Sequence, residues 1–264
     1  MTIRIERREG IAWLWLARPE KHNAFDGAML LAIDKAIGEL AEASDVRVIV
    51  IAGEGRSFCA GADLGWMAEQ AGAGHEANVA SAVRMGEIFH HIASCPKPVV
   101  ARVHGAALGG GVGLAMAADI TIATRRAVFG LTEVRLGLVP GVISPFVVRR
   151  VGPSQARALF LTGERVTAAD AWRLGMVHWL EEDDDALERR LDVVIAALVA
   201  GGPQAQAASK RLVDAVAFQA PADVLELTAE FIATRRESAE AAEGMAAFLL
   251  RRRPSWIPGA QDGE

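Results

Sequence analysis

The first part of the chain alternates between strand-length and helix-length hydrophobic patterns. Residues 3–6 alternate apolar and polar side chains and residues 11–16 form a continuous apolar run, so they predict two antiparallel strands joined by a turn. From Asp26 to Leu40 apolar residues recur every three or four positions, which predicts an amphipathic helix with Asp26 as its N-cap. The apolar run at 46–51 predicts the next strand, which is buried.

The same alternation continues further along the chain. Apolar runs at 99–103 and 120–123 predict two more buried strands. The segment 114–118 between them is apolar on all sides, which predicts a buried helix. Strands separated by single helices predict an α/β fold with mainly parallel strand pairing.

The last part of the chain differs, because almost every segment after Ser154 has a helical pattern. The sequence therefore predicts an α/β core over about residues 1–200 and a helical region over residues 201–264. The predicted helices span residues 154–161, 168–174, 184–199, 203–217, 223–234 and 238–251.

Composition is that of a globular protein and excludes several functions. The 264 residues are 52% hydrophobic and 23% charged, which is too apolar for a disordered chain and too charged for a membrane bundle. The net charge of −5 provides no general basic field for nucleic acid. No apolar stretch approaches the roughly 20 residues that span a bilayer. We therefore expect neither a nucleic-acid partner nor a membrane partner.

Cysteine and histidine usage indicates a reducing compartment and predicts no metal site. The two cysteines, Cys59 and Cys95, cannot build a disulfide framework, and the first residues form no apolar signal segment. We therefore expect a cytoplasmic protein. The sequence contains no His-Glu-x-x-His motif and no paired Cys-x-x-Cys motifs, so we expect no metal.

Two glycine-rich segments, 59–64 and 109–113, each leave a strand and open a helix. Glycine and alanine allow a ligand close to the backbone, and unpaired N–H groups at a helix N-terminus bind negative charge. If the two loops face each other, two amides can converge on one oxygen, which is the geometry of an oxyanion hole. Tight turns are the alternative interpretation of each segment taken alone. The phosphate-binding glycine motifs do not match, and the Gly-x-Ser-x-Gly motif fails at 152–156.

Glu133 is the candidate acid or base beside such a hole. It is the lone carboxylate within 129–141, a segment of apolar residues and glycines, where burying a charge is costly unless it has a function. An exposed turn carboxylate is the alternative. Asp63 fits an N-cap for a helix that begins near Leu64.

Five segments, taken in order, resemble motifs of the enoyl-CoA hydratase/isomerase (crotonase) family. The resemblance covers nearly the whole chain. It implies an α/β spiral of β-β-α turns, closed by a C-terminal helical region, 201–264, that mediates trimers, with two trimers commonly stacked into a hexamer. The matching segments are residues 18–24, 57–64, 104–111, 129–133 and 136–141.

The resemblance also implies roles for individual residues. The amides of Ala62 and Gly110 would form the oxyanion hole for the thioester of an acyl-CoA, and Glu133 would be the acid/base group. Phe248 and Arg251 would meet the nucleotide part of CoA in a neighbouring subunit, although Arg251 also fits a solvated helix end. No cofactor is implied, because CoA belongs to the substrate. Lining positions of the CoA groove would be Lys21, Ala24, Ala60 and Leu64.

The chain departs from the two-carboxylate hydratases of the family at Gly113, where those members carry a second glutamate. Their mechanism therefore does not carry over intact. Segments 62–67 and 133–147 look most like the single-glutamate, hydratase-like proteins of bacterial leucine and acyclic-terpene degradation, which act on branched glutaconyl-CoA substrates. This resemblance predicts hydration of a substrate such as 3-methylglutaconyl-CoA. Side chains that either line its acyl pocket or belong to the core are Trp66, Met67 and Phe146.

Two alternatives to hydration remain open. One is a Δ3,Δ2-enoyl-CoA isomerase, for which a single glutamate suffices because the same group removes and returns the proton. The other is a catalytically silent acyl-CoA-binding protein, since a fold does not guarantee activity.

Overall fold

A computed structural model describes residues 2–257. Its main sheet has six strands in the order β1-β2-β3-β4-β6-β9. β1 and β2 pair antiparallel, and the other neighbours in this sheet pair parallel. The predicted α/β class with mainly parallel pairing is therefore confirmed. The strands of this sheet are β1 (Ile3–Arg8), β2 (Ile11–Leu16), β3 (Val48–Gly53), β4 (Val99–Val103), β6 (Ile120–Thr124) and β9 (Trp179–Glu181).

A second sheet of three short strands supports the loops described below. Its order is β5-β7-β8, with residues Ala106–Leu108, Val128–Gly130 and Arg165–Thr167. β5 pairs parallel with β7, and β7 pairs antiparallel with β8. Strands of three residues show no hydrophobic period that a sequence pattern can reveal, so the sequence did not predict this sheet.

Helices connect the strands and form most of the chain after β9. The helices are α1 (Gly27–Glu42), α2 (Leu64–Ala71), α3 (His75–Ser94), α4 (Gly110–Ala117), α5 (Ser144–Thr162), α6 (Ala168–Arg173), α7 (Asp184–Ala200), α8 (Pro203–Val216), α9 (Leu225–Arg236) and α10 (Ala239–Leu249). Short 3-10 turns occupy Pro19–Lys21, Glu133–Leu136 and Pro221–Val224.

The predicted helix at residues 154–161 is confirmed as the second half of α5, and the structure adds a first half that the sequence did not predict. The helix already begins at Ser144 and is bent at Gly152, whose φ of 74° and ψ of 163° are not helical. Pro153 follows that bend and has no backbone N–H to continue the hydrogen-bond ladder. The pair Gly152–Pro153 is therefore a real boundary between the two helical halves of α5.

The two faces of the main sheet carry separate hydrophobic clusters. One face packs against α1, α3, α4 and α5 in the larger cluster. The other face, which includes Val50 and Val100, packs against Leu187 and Leu191 of α7. Because both faces are covered, β3 and β4 are buried at every position, as expected for central parallel strands.

The C-terminal helices are less buried than the core. α9 has no buried residue and α10 has only Ala247. The division into a core, 1–200, and an oligomerisation region, 201–264, stays a prediction, and residues 258–264 lie outside the described residues. Over 2–257, no single helix is long and apolar enough to cross a membrane. Only α7 and α8 taken together reach that composition, and they are bent by 104°.

Candidate active site

The first glycine-rich loop is held in place by pairing with Phe25. Residues Phe25 and Ala62 form a parallel bridge. The Phe25 amide donates to the Gly61 carbonyl at 2.9 Å, and the Asp63 amide donates to the Phe25 carbonyl at 2.8 Å. In a parallel pair the groups of one residue point away from the partner strand while its two neighbours bond to it. The Ala62 amide therefore faces away from Phe25, and within residues 2–257 it has no backbone acceptor.

The second loop presents the N-terminus of α4. Gly109 has a φ of 50° and a ψ of −121°, a conformation that favours glycine, and its amide donates to Gly130 at 2.8 Å. Gly110 begins the helix, so its amide has no intrahelical acceptor. The loops are in contact, because a methyl group on Gly61 would lie 3.4 Å from the nitrogen of Gly110. The structure thus brings the two predicted loops together.

Both loops line one cavity of about 470 Å³. Ala62 and Gly110 lie on its wall, together with Phe25. Among the lining residues within 2–257, Thr132 and Glu133 alone have polar side chains. The cavity has the size and apolar character typical of a small-molecule site with few polar groups.

Glu133 is the ionisable group of this cavity. It begins the 3-10 turn Glu133–Leu136, and its Oε1 would lie 3.1 Å from a methyl group on Gly109. Its Oε2 is buried and has no hydrogen-bond partner in the described chain. Burial raises the pKa of Glu133 above its ordinary value. A carboxylate with a raised pKa beside unpaired amides can exchange protons with a ligand whose oxygen the amides hold.

Gly113, where two-carboxylate hydratases carry their second glutamate, has no room for a side chain. Gly113 is buried in α4, and a methyl group there would lie 2.3 Å from Cγ2 of Ile143 and 3.1 Å from Cε1 of Phe89. No side chain at position 113 can reach the cavity without moving Ile143. Glu133 is therefore the single carboxylate among the described residues that line the cavity.

A charged cluster joins the two segments on which the CoA prediction rests. Nζ of Lys21 lies 2.7 Å from Oδ2 of Asp63, and Arg18 bridges Asp63 at 3.4 Å and Asp26 at 2.9 Å. The hydrogen bond with Lys21 is the largest cause that lowers the pKa of Asp63 to about 2. The sequence had marked Lys21 but not Arg18, whose side chain is 11% exposed at the centre of this cluster.

Asp63 has the predicted capping role as well. Its Oδ1 accepts hydrogen bonds from Gly65 at 3.0 Å and Trp66 at 3.3 Å at the start of α2. The side chain of Asp63, the residue next to Ala62, therefore connects the start of α2 with Lys21. The prediction of an N-cap is confirmed.

The other predicted substrate residues divide into two groups. Ala60, Leu64 and Met67 line the cavity with Glu133. Ala24 does not line it, and its carbonyl accepts a hydrogen bond from Arg18 at 2.8 Å. Trp66 lines a second cavity that adjoins the first.

Phe146 lies elsewhere. It lines a separate cavity near α8 and packs against Phe89 with ring centroids 6.1 Å apart, so this placement does not support an acyl-pocket role. Phe248 lies near the exposed C-terminal end of α10 and Arg251 follows that helix, and neither lines the cavity of Glu133. Their contact with CoA in a neighbouring subunit, and the trimer or hexamer that it requires, stay predictions.

Comparisons with known proteins agree with this fold. The sequence profile of the family described as enoyl-CoA hydratase/isomerase matches residues 6–258. An enoyl-CoA hydratase crystal structure from Shewanella pealeana is 36% identical, covers 97% of this chain and 96% of its own, and gives a TM-score of 0.93. The crotonyl-CoA hydratase of Syntrophomonas wolfei is 33% identical over 97% of this chain and 98% of its own length. The 2,3-dehydroadipyl-CoA hydratase of Escherichia coli is 32% identical over 96% of this chain and 97% of its own length. The chain therefore belongs to the enoyl-CoA hydratase/isomerase family, has the crotonase fold, and is an enzyme of the enoyl-CoA hydratase class.

Proposed function

We propose that this chain adds water across the 2,3 double bond of an enoyl-CoA, with Glu133 as its single acid/base group and the amides of Ala62 and Gly110 as the oxyanion hole. The main support for this proposal is the position of Glu133. One of its oxygens is buried, without a hydrogen-bond partner among residues 2–257, in a cavity that Ala62 and Gly110 also line. A buried acceptor without a partner is costly, so a water molecule that donates to it fits this position.

Hydration needs a base for the water and a site for the charge that moves onto the thioester. As the water oxygen bonds to C3, the electron pair of the C2–C3 double bond moves toward C2 and the thioester carbonyl, which gives an enolate. Two preorganised N–H donors stabilise that enolate oxygen, and loss of one such donor typically slows a reaction by about 10²–10³-fold.

One carboxylate is enough for the proton balance. Glu133 takes a proton from the attacking water and returns a proton to C2 as the enolate collapses, so it ends in its starting state. Burial raises its pKa, which makes the protonated carboxyl easier to form during this cycle than an exposed glutamic acid would be.

A narrower proposal is an acyl group with a second carboxylate, such as 3-methylglutaconyl-CoA. The relative named 2,3-dehydroadipyl-CoA hydratase supports a dicarboxylic substrate. Such a carboxylate would be able to hold the attacking water in place of the missing glutamate. Neither Lys nor Arg lies among the described residues that line the cavity, and a buried charge without a cation is costly. We therefore rank this acyl group below an uncharged one.

A Δ3,Δ2-enoyl-CoA isomerase is the second candidate function, favoured by the single carboxylate itself. In that reaction Glu133 removes a proton from C2 and returns one to C4, and the same oxyanion hole stabilises the dienolate. This reaction binds no water, so the absence of a second carboxylate at Gly113 does not impair it.

The masses of the products separate these functions. We expect crotonyl-CoA incubated with the protein in ¹⁸O-water to gain one labelled water, whereas a 3-enoyl-CoA converted by an isomerase keeps its mass. We expect Glu133→Gln to lower hydration by about 10²–10⁴-fold, because general acid–base catalysis typically contributes that factor. Glu87→Gln, an exposed change on α3 outside the cavity, is the control.

Three outcomes would contradict the proposal. Hydration by Glu133→Gln within a few-fold of the unaltered protein excludes this residue as the acid/base group. Turnover of 3-enoyl-CoA alone supports the isomerase. Binding of acyl-CoA without turnover of any thioester supports a silent binding protein.

A further inference from the structure

The cavity of Glu133 continues into a second cavity between α2 and the first turns of α3. The second cavity has a volume of about 440 Å³ and shares six lining residues with the first. All of the shared residues are apolar, so the two cavities form one apolar groove. The shared residues are Leu64, Met67, Ala82, Met85, Leu136 and Leu138.

This groove is larger than a short acyl group requires. A methylene group takes up roughly the 30 Å³ of a water molecule, so the four carbons of a crotonyl group fill about a quarter of the first cavity alone. Two of the shared side chains, Leu64 and Leu136, are 63% and 57% exposed, although both are apolar. Exposed apolar side chains along a groove are typical of a surface that binds an apolar ligand.

Apart from Thr132 and Glu133 in the first cavity, the polar Gln, Asn and Ser side chains among the described lining residues all lie in the second cavity. Gln70, Asn78 and Ser81 line the second cavity but not the first. Between Glu133 and these polar side chains, no Lys or Arg lies among the described residues that line either cavity. A charged acyl group in this groove would have no oppositely charged side chain to pair with, which is costly. An alkyl chain needs no such partner.

We infer that this chain prefers 2-enoyl-CoA substrates with long, uncharged acyl chains, whose distal carbons lie between α2 and α3. The inference rests on the proposed hydration, since it places the reacting carbons at Glu133 and the tail beyond Met67 and Met85. Met side chains suit such a groove, because they are flexible and adapt to apolar ligands of different shape.

The unaltered protein provides the first test. We would measure kcat/KM for straight-chain 2-enoyl-CoAs of four, six, eight and ten carbons and for 3-methylglutaconyl-CoA. Each methylene that leaves water completely favours binding by up to about fourfold, so we expect at least a tenfold rise from four to eight carbons. A constant or falling series, or preference for the dicarboxylic substrate, overturns the inference but leaves the proposed hydration intact. Hydration of no thioester overturns the proposed function instead.

A matched pair of variants on α3 provides the second test. Ala82 lines both cavities, and Ala80 is exposed on the same helix and lines neither. Ala82→Phe fills the junction, so we expect the ratio of kcat/KM for the ten-carbon substrate to that for the four-carbon substrate to fall at least tenfold. Ala80→Phe should keep the ratio of the unaltered protein. Equal ratios in the two variants overturn the inference, and the chain-length series decides the question if Ala82→Phe does not fold.

Discussion

Ile143 fills the space beside Gly113 that any larger side chain at position 113 would have to enter. Ile143 is 3% exposed and also lines the cavity of Glu133. Its apolar side chain therefore occupies the space that a second catalytic carboxylate at position 113 would need. The packing of α4 against the segment before α5 therefore enforces the single-carboxylate site. A change at position 113 alone is not expected to restore a second catalytic group.

This crowding predicts that Gly113→Ala destabilises the protein. Replacing Gly by Ala inside a helix normally stabilises it by roughly 0.5–1 kcal/mol, but overpacking a closed core costs typically about 1–3 kcal/mol. We expect a net loss in the free energy of unfolding, measured by urea denaturation. Gly38→Ala in α1 is the control and should stabilise, because no atom of the described residues outside its own helix turn lies within 4 Å of a methyl group there. Stabilisation by both changes would contradict the packing argument.

The burial of Glu133 predicts a pH-dependent stability difference for Glu133→Gln. The pKa of Glu133 in the folded protein is raised by burial, above the value of about 4.3 in an unfolded chain. The folded state therefore binds this proton more tightly, and ionisation of Glu133 destabilises it increasingly as pH rises from about 4 through the raised pKa.

Glutamine carries no such charge. We expect the free energy of unfolding of Glu133→Gln to exceed that of the unaltered protein at pH 7–8 and the difference to shrink toward pH 4, in urea titrations at several pH values. A difference that stays constant over this range would show that the carboxyl of Glu133 ionises normally.

The same raised pKa predicts the pH profile of hydration. In the proposed hydration, Glu133 accepts a proton from water only when it is ionised, so kcat/KM should fall tenfold per pH unit below the raised pKa. The pH profile of kcat/KM, measured with crotonyl-CoA, should therefore begin to fall at a pH above the ordinary pKa of glutamic acid. An acidic limb at the ordinary pKa would contradict a desolvated base.

Local patterns were sufficient to predict several elements around the site, although not the three-stranded sheet that supports its loops. The apolar run of β4 and the helical period of α1 are read within single segments, and the Asp26 cap is confirmed by a hydrogen bond of 2.9 Å from the Met29 amide. The glycine loops and Glu133 were also visible, because glycines and a lone carboxylate stand out from an apolar background.

Long-range packing decided what the sequence could not predict. Gly113 signals a missing glutamate, but only the fold shows that Ile143 fills the space. Phe146 lies in the first turn of α5, and its pattern does not reveal that it faces Phe89 and α8 instead of Glu133. The ion pair between Arg18 and Asp63 joins residues 45 positions apart, which a local sequence pattern cannot predict.

The ion pairs of Asp63 predict an acid-sensitive contribution to stability. The pKa of Asp63 is lowered to about 2, first by its hydrogen bond with Lys21 and then by backbone amides of α2. The stabilisation is therefore complete above the unfolded value of about 3.9 and is lost as pH falls toward 2. Asp63→Asn keeps a residue that can cap the helix but removes the charge that Lys21 and Arg18 meet.

We expect Asp63→Asn to lower the free energy of unfolding at pH 6 and to lose this effect as pH approaches 2, in thermal or urea denaturation. Asp192→Asn, an exposed change on α7, is the control and should have little effect at either pH. An equal loss at pH 2 and pH 6 would mean that Asp63 stabilises through its shape and not through its charge.

Gly109 offers the sharpest test of the oxyanion hole. Its φ of 50° and ψ of −121° are unfavourable for any residue with a Cβ, and a methyl group there would lie 3.1 Å from Oε1 of Glu133. Gly109→Ala should therefore shift the Gly110 amide and Glu133 together. We expect kcat to fall by about 10²–10³-fold, as for loss of one oxyanion donor.

Gly152→Ala separates this loss from backbone strain alone. Gly152 also has a positive φ, of 74°, but no atom lies within 4 Å of a methyl group there, and it lies in the bend of α5 outside the cavity. Both variants should lose roughly 1–3 kcal/mol of stability from strain, but only Gly109→Ala should lose activity in a hydration assay on the folded protein. If both keep their activity, the N-terminus of α4 does not hold the reacting oxygen.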